Sequence, residues 1–368
     1  MERSHTSKLI EEAFEEIQRF NYRRFIDEIQ NMSRCPQSRS FRHKKHTINS
    51  FLERIGLHLM YKSTLEELKC SSYSKMGKWS AVGTIQLALK SPERFDEVYN
   101  ILSDEESKSI FDWFIKFRVA YAFVGEAAKL VFPPSISQEE FVNKVSNIGL
   151  DYRGFINLGN YRFISNPDTA VGPWIFDQYN LDGLCEVSSG DYVVDGGAFN
   201  GETAFWFLSK GAEGVYAFEP DRINFQILSK NVALNRVEGK IIPIKALLSE
   251  KDGISRIKLT GSASSSPLGD GGIEVECVTL DSFVVKNRLE NINFIKLDVE
   301  GAETEVLKGA IETIKKYKPK MAISVYHKPE DLIVITKSLY DLLPNAKFYL
   351  SHKFYDWNET ILFVNPRC

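Results

Sequence analysis

The chain has five cysteines, Cys35, Cys70, Cys185, Cys277 and Cys368, and no two of them make a C-x-x-C pair. That absence excludes a zinc finger and argues against a disulfide scaffold, so a reducing, cytoplasmic setting is the default expectation. Long apolar runs are missing as well. No stretch approaches the roughly 18 residues that a membrane span needs, and the opening MERSHTSKLIEEAFEEIQRF lacks the apolar core of a signal peptide. Charge of one sign is not in excess either. A formal net charge of -3 argues against nucleic acid as a partner of the whole chain. What is present is enough for a full core: 43% hydrophobic and 26% charged residues over 368 positions, a length that suits two domains or one domain with a large extension.

Glycine is scarce in the first third of the chain. There SKLIEEAFEEIQRFNYRRFIDEIQNM places Leu9, Phe14, Ile17, Phe20, Phe25 and Ile29 on an approximate helical stripe. SDEESKSIFDWFIKFRVAYAF predicts a second amphipathic helix, with Ser103 as N-cap and Glu106 completing a capping box. Between them, SRCPQSRSFRHKKH carries Arg34, Arg39, Arg42, Lys44 and Lys45 without an acid. It reads as a solvated basic loop or as a patch for an anionic partner. Pro133 and Pro134 mark a break.

From Asp191 the character changes. The β-branched runs YVVDGG, GVYAFEP, KIIPIKALLS, INFIKLDVEG, KMAISVYH, KFYLSHKF and TILFVNP follow one another, the early ones separated by helical segments. Such alternation predicts a doubly wound, mainly parallel α/β sheet with helices on both faces. SRIKL and GIEVECVTL read as an added hairpin whose loop holds Ser264, Ser265 and Ser266, a flexible segment or a lid over an acceptor. The last two runs are so close that they must pair antiparallel. The expected organisation is a helical N-terminal region over residues 1–150, a connecting segment over 151–190 and an α/β domain over 191–368.

The first strand of that domain runs into VVDGGAFNGETAFWF. Gly196, Gly197 and Gly201 sit between a strand and a helix, where ligands of doubly wound sheets bring their polar parts against backbone. The spacing is Asp195-x-Gly197-Ala198-x-x-Gly201, with no G-x-G, so a dinucleotide fingerprint is not met. An acid at the strand end would repel a pyrophosphate and suits a cationic ligand such as S-adenosylmethionine. Glu219 ends the next strand, where these folds place an acid that takes ribose hydroxyls.

VVDGGAFNGETAFWF, VYAFEPD, VTLDSF and FIKLDVEGAETEVLKGA together resemble the FkbM family of S-adenosylmethionine-dependent methyltransferases, over roughly the second half of the chain. Position 199 is Phe where that family often has Asn. The resemblance implies a class I, Rossmann-like fold of seven strands with a final antiparallel strand, and O-methylation of a hydroxyl, commonly of a sugar or glycan. A non-catalytic methyltransferase-like scaffold and a Rossmann dehydrogenase are the alternatives. Asp195, Gly196, Gly197, Ala198, Gly201, Glu202, Thr203, Glu219 and Pro220 are expected to hold the cofactor, with Asp195 orienting the turn and the methionine amino group. Asp221 is expected to cap the following helix. Asp298, Glu300, Lys296 and His327 are the catalytic candidates, with His327 or Asp298 as base. Lys296 either keeps Asp298 ionised or covers the sheet, and Glu300 either acts in the site or favours the next helix N-terminus. No metal is required, since no His/Cys cluster stands in the sequence.

Overall fold

The computed structural model describes residues 4–33, 72–151, 154–258, 266–267 and 273–367. The basic stretch from Arg34 to Lys45, and Ser264 and Ser265, lie outside the described residues. The chain forms two compact units: Met1–Glu93 with Asp112–Pro133, and Arg94–Phe111 with Pro134–Cys368. No helix among the described residues is long and apolar enough to cross a membrane.

The first unit is helical. His5–Ser33 buries Leu9, Ile10, Ala13 and Ile17, a face set by the 3.6-residue period. Ser72–Lys90 buries Ala81, Ile85 and Ala88. The buried Arg118 donates to Ser80 Oγ at 2.9 Å and lies over the Phe114 ring.

The second unit is built on strands β1 (Ile156–Leu158), β2 (Tyr161–Phe163), β3 (Tyr192–Gly196), β4 (Gly214–Phe218), β5 (Ile241–Ile244), β6 (Leu247–Leu248), β7 (Gly253–Lys258), β8 (Ser266–Pro267), β9 (Ile273–Val278), β10 (Phe294–Leu297), β11 (Lys320–Ser324), β12 (Lys347–His352) and β13 (Thr360–Asn365). Seven of them form one sheet in the order β12-β13-β11-β10-β3-β4-β5. The sheet is mixed rather than mainly parallel. β10, β11, β3, β4 and β5 run parallel, while β13 inserts between β11 and β12 and is antiparallel to both. The short turn from β12 to β13 forces that antiparallel pair. The insertion of β13 against β11 is a long-range choice that no local pattern announces.

The run KIIPIKALLS is two strands. β5 ends at Ile244, and β6 leaves the main sheet to join a small one of order β6-β9-β7-β8, where β7 and β9 form the expected antiparallel hairpin. The segment from 151 to 190 does more than connect. Its hairpin β1–β2 and its helix Pro167–Ile175 cover the helix Glu202–Ser209, with the Phe163 and Phe205 rings stacked at 5.4 Å and Trp174 Nε1 donating to the Glu202 carbonyl at 2.9 Å. Glu202–Ser209 has no polar face, and the cover explains why: residues 202 to 208 are all buried.

At the start of Glu105–Val124 the cap is Asp104, whose carboxylate accepts from Ser107 N at 2.8 Å. Ser103 was the expected cap. Its hydroxyl instead accepts from Phe348 N on β12 at 3.0 Å, so the capping box with Glu106 does not form. Asp221 does cap Arg222–Asn235, accepting from Ile223 N and Asn224 N.

Candidate active site

β10, β3 and β4 are parallel neighbours in register, Leu297 beside Gly196 and Gly196 beside Phe218. Their carboxyl ends therefore present Asp298, the Gly197 turn and Glu219 at one edge. The turn is held from below. Lys296 is buried, and its Nζ lies 3.0 Å from Asp195 Oδ1 while donating to the Gly196 and Gly197 carbonyls at 3.1 and 2.7 Å. Asp195 Oδ2 accepts from Thr203 Oγ1 at 2.5 Å. Asp195 is fully buried, with Oδ1 facing the Lys296 ammonium and Oδ2 bonded to Thr203, so it braces the turn from below. Burial works against the Lys296 ammonium, but the Asp195 carboxylate beside it keeps its pKa raised, so it stays charged.

Gly197 has φ +78, and a Cβ there would stand 1.9 Å from the Asp298 carbonyl oxygen. The sequence reading gave this glycine to the approach of a ligand. The neighbouring strand end also passes too close for any side chain, while Gly197 lines the cleft as well. Phe199 has φ +48, a left-handed conformation in which Asn and Gly are at home and a bulky residue is strained.

The turn's amides are also spoken for. Gly197 N and Ala198 N both donate to the Phe218 carbonyl, at 3.1 and 3.0 Å, and Gly201 N donates to Ala198. Phe199 N donates to Glu219 Oε2 at 2.9 Å, and Asp221 N donates to Glu219 Oε1 at 2.8 Å. Burial raises the Glu219 pKa to about 7 against these two bonds. Glu202 is turned into the protein, where Ser165 and Thr169 hydroxyls donate to it.

A cleft lies over this edge, lined by Gly197, Phe199, Glu219 and Pro220 on one side, Ala246, Leu247 and Leu248 on another, and Asp298, Val299 and Glu300 at the far end. Of the residues assigned to the cofactor from sequence, Gly197, Glu219 and Pro220 reach its wall. Asp195, Gly196, Ala198, Gly201, Glu202 and Thr203 stand behind it as the turn's support.

The far end is rich in acid. Asp298 accepts from Tyr179 OH at 2.8 Å and from Tyr326 OH at 3.2 Å. Burial pushes its pKa up, but Lys296 and His327 pull it below the usual 3.8, so it is ionised. His327 Nε2 lies 3.5 Å from both Asp298 Oδ1 and Glu300 Oε2, and Nδ1 lies 3.1 Å from Glu303 Oε1. Burial works against the imidazolium, yet Glu303 first, then Glu300 and Asp298, hold its pKa well above 6.5. The three carboxylates therefore favour the charged form of the imidazole.

Glu300 has φ +56 and faces His327; burial raises its pKa to about 8. The helix Glu303–Lys308 is served by Glu303 itself, which accepts from Val299 N at 2.9 Å and Gly301 N at 3.4 Å. Lys296 influences Asp298 from behind but is bonded to Asp195, so the two sequence readings of Lys296 combine into one clamp.

Sequence reasoning did not single out Glu303, Tyr179, Tyr326 as a donor, or Glu359. Glu359 accepts from Tyr326 OH at 3.2 Å, from Asn358 Nδ2 at 2.8 Å and from Gln178 Nε2. Burial, with Asp298 adding to it, raises its pKa to about 7. Glu303 stands inside the quoted KLDVEGAE block and could have been found there. One oxygen of Asp298, one of Glu303 and one nitrogen of His327 lie within 4.8 Å of each other, a metal-ligand grouping among the described residues. It is assembled from three elements, which is why the sequence shows no such cluster.

Residues 195–356 match the methyltransferase FkbM domain. The chain is 31% identical over 137 residues to hexuronic acid methyltransferase AglP of Haloferax volcanii, covering 36% of this chain and 55% of that protein. It is 26% identical over 174 residues to methyltransferase sdnD of Sordaria araneosa, covering 38% of this chain and 67% of that protein. The fold is similar to the crystal structure of methyltransferase FkbM from Methylobacillus flagellatus, with TM-score 0.51 and 21% identity over 75% of this chain and 59% of that one. This chain thus spans little more than half the length of the first relative and of that structure. The similarity to the FkbM methyltransferases is thus carried by residues 195–356, which match that family's domain.

Proposed function

We propose that the chain is an S-adenosylmethionine-dependent O-methyltransferase whose acceptor is a hydroxyl of a sugar or glycan intermediate. The observation that carries this reading is Glu219 on the cleft wall. Each of its oxygens accepts one backbone N–H, which leaves a lone-pair site on each for a ribose hydroxyl. The turn supports the same choice by what it withholds. A pyrophosphate needs free amides, and those of Gly197, Ala198 and Phe199 are already donated. Ala246, Leu247 and Leu248 offer an apolar wall suited to a purine ring. The cofactor supplies a methyl group on a sulfonium, already activated for displacement.

The protein's own share is alignment and charge. Asp195, Lys296 and Thr203 fix the turn from below, and the turn sets the donor's position. Asp298, ionised at the opposite end of the cleft, accepts the acceptor's hydroxyl hydrogen and orients that oxygen; it is favoured as base over His327, whose charged form the surrounding carboxylates favour. Tyr179 and Tyr326 hold the Asp298 carboxylate in place. The sugar acceptor draws support from the hexuronic acid methyltransferase among the relatives.

The test is calorimetry with S-adenosylhomocysteine and with NAD, followed by transfer of labelled methyl to a panel of uronic acid and neutral glycosides. Binding of S-adenosylhomocysteine alone, with label in a glycoside, is expected. Binding of NAD would contradict the cofactor. A bound donor with no transfer to any glycoside would contradict the acceptor class.

A further inference from the structure

The far end of the cleft holds more carboxyl groups than its cations can satisfy. Asp298, Glu300, Glu303, Asp331 and Glu359 gather around the single imidazole of His327. Two of the groups are buried without completed hydrogen bonding. His327 is 3% exposed, and neither of its ring nitrogens makes an aligned hydrogen bond; Glu303 is 0% exposed, and its Oε2 has no partner. A buried polar atom left unpaired is costly, so such atoms pointing into one cluster call for an occupant.

The spacings identify it. An Nε2 to carboxylate distance of 3.5 Å, found twice here, is too long for a hydrogen bond. It is within about half an ångström of the separation of neighbouring ligands around a small divalent cation, about 3.0 Å in octahedral and about 3.4 Å in tetrahedral coordination for metal–ligand bonds of about 2.1 Å. The other ring nitrogen, Nδ1, faces Glu303 Oε1 at 3.1 Å, as the second nitrogen of a metal-bound histidine faces a carboxylate. Asp298 is itself held by two tyrosine hydroxyls, the support a ligating carboxylate ordinarily has. Carboxylates with one imidazole and no thiol select a hard to borderline ion.

We propose that His327 Nε2, Asp298 and Glu300 form a binding site for a divalent cation of the Mn²⁺/Mg²⁺ class, with Glu303 orienting the imidazole from its Nδ1 side. The ion stands at the end of the cleft where an acceptor oxygen arrives. The binding claim goes beyond the methyl-transfer reading and does not depend on it.

The test reads metal and leaves activity aside. The full chain, stripped with a chelator, is titrated with Mn²⁺ while the electron paramagnetic resonance of free Mn²⁺ is followed, and Mg²⁺ is then added as competitor. Saturable binding of one Mn²⁺ per chain is expected, with His327→Gln and Asp298→Asn each weakening it by at least about tenfold. Glu300→Gln, on the partly open wall, serves as the milder variant should either of those fail to fold, and it too should weaken binding. Glu219→Gln should lose affinity for S-adenosylhomocysteine while keeping Mn²⁺, which separates failure of the metal site from failure of the cofactor reading. A wild-type chain that leaves the free Mn²⁺ signal undiminished would overturn the proposal, as would folded variants that bind Mn²⁺ as tightly as wild type.

Discussion

The two ends of the cleft are built on different plans. The end at Glu219 is made of neighbours in sequence, and its bonds run largely through backbone: Phe199 N and Asp221 N to Glu219, Gly197 N and Ala198 N to Phe218. The end at Asp298 is made of side chains drawn from Gln178 to Glu359, and its bonds run between carboxylates, tyrosines and one histidine. Backbone-built sites tolerate little change in geometry but are simple electrostatically. Side-chain clusters have the reverse character, because each charge sets its neighbours' protonation. The first plan suits a ligand held in one pose. The second suits handling of protons and charge.

If the Glu219 end depends on backbone geometry, its most severe break is steric. Gly197→Val would drive a side chain into the Asp298 carbonyl, and at φ +78 the β-branched residue is strained as well. The expected outcome is loss of the cooperative thermal transition and of soluble yield. A folded variant with a wild-type midpoint would show that the strand ends can part, and would return the glycine to a ligand role.

A gentler variant sharpens the electrostatic half of the comparison. Glu219 has a folded pKa of about 7 against an ordinary 4.5, with burial as the main cause. Below pH 4.5 it is neutral in both folded and unfolded chains. Between the two values the folded chain binds the extra proton, so this group's contribution to stability falls as pH rises, by about 3 kcal/mol in all once pH passes 7. Glu219→Gln removes that slope. The melting midpoint of the variant relative to wild type should therefore climb between pH 4.5 and 7 and level off above. A constant difference across that range would mean that Glu219 titrates normally.

The smallest effect is expected at the other end. Tyr179→Phe removes one of the two tyrosine bonds to Asp298 and leaves the cleft wall intact. Methyl transfer should slow by roughly tenfold, the value of a hydrogen bond to a charged group, with S-adenosylhomocysteine affinity unchanged. A loss of cofactor affinity instead would tie the two ends together.

The same contrast explains what the sequence revealed. The turn after β3, the acid ending β4, the caps at Asp221 and the β7–β9 hairpin are local patterns and could be read directly. The acid cluster could not. Glu359 lies in the turn between β12 and β13, and Tyr179 lies in a stretch that reads as a connector; only the fold brings them to Asp298. His327 could be placed at a strand end from sequence, but its protonation depends on Glu303, Glu300 and Asp298 arriving from elsewhere. The steric demand on Gly197 is hidden in the sequence for a related reason: the atom it avoids belongs to residue 298.

The division between the two ends is tested most directly by calorimetry of S-adenosylhomocysteine against wild type, Glu219→Ala and Asp298→Asn at pH 8, where the wild-type Glu219 is ionised. The account predicts tight binding by wild type, at least tenfold weaker binding by Glu219→Ala, since charged hydrogen bonds contribute roughly 1.5–3 kcal/mol each, and unaltered binding by Asp298→Asn. Equal affinity in wild type and Glu219→Ala, or a loss confined to Asp298→Asn, would contradict it.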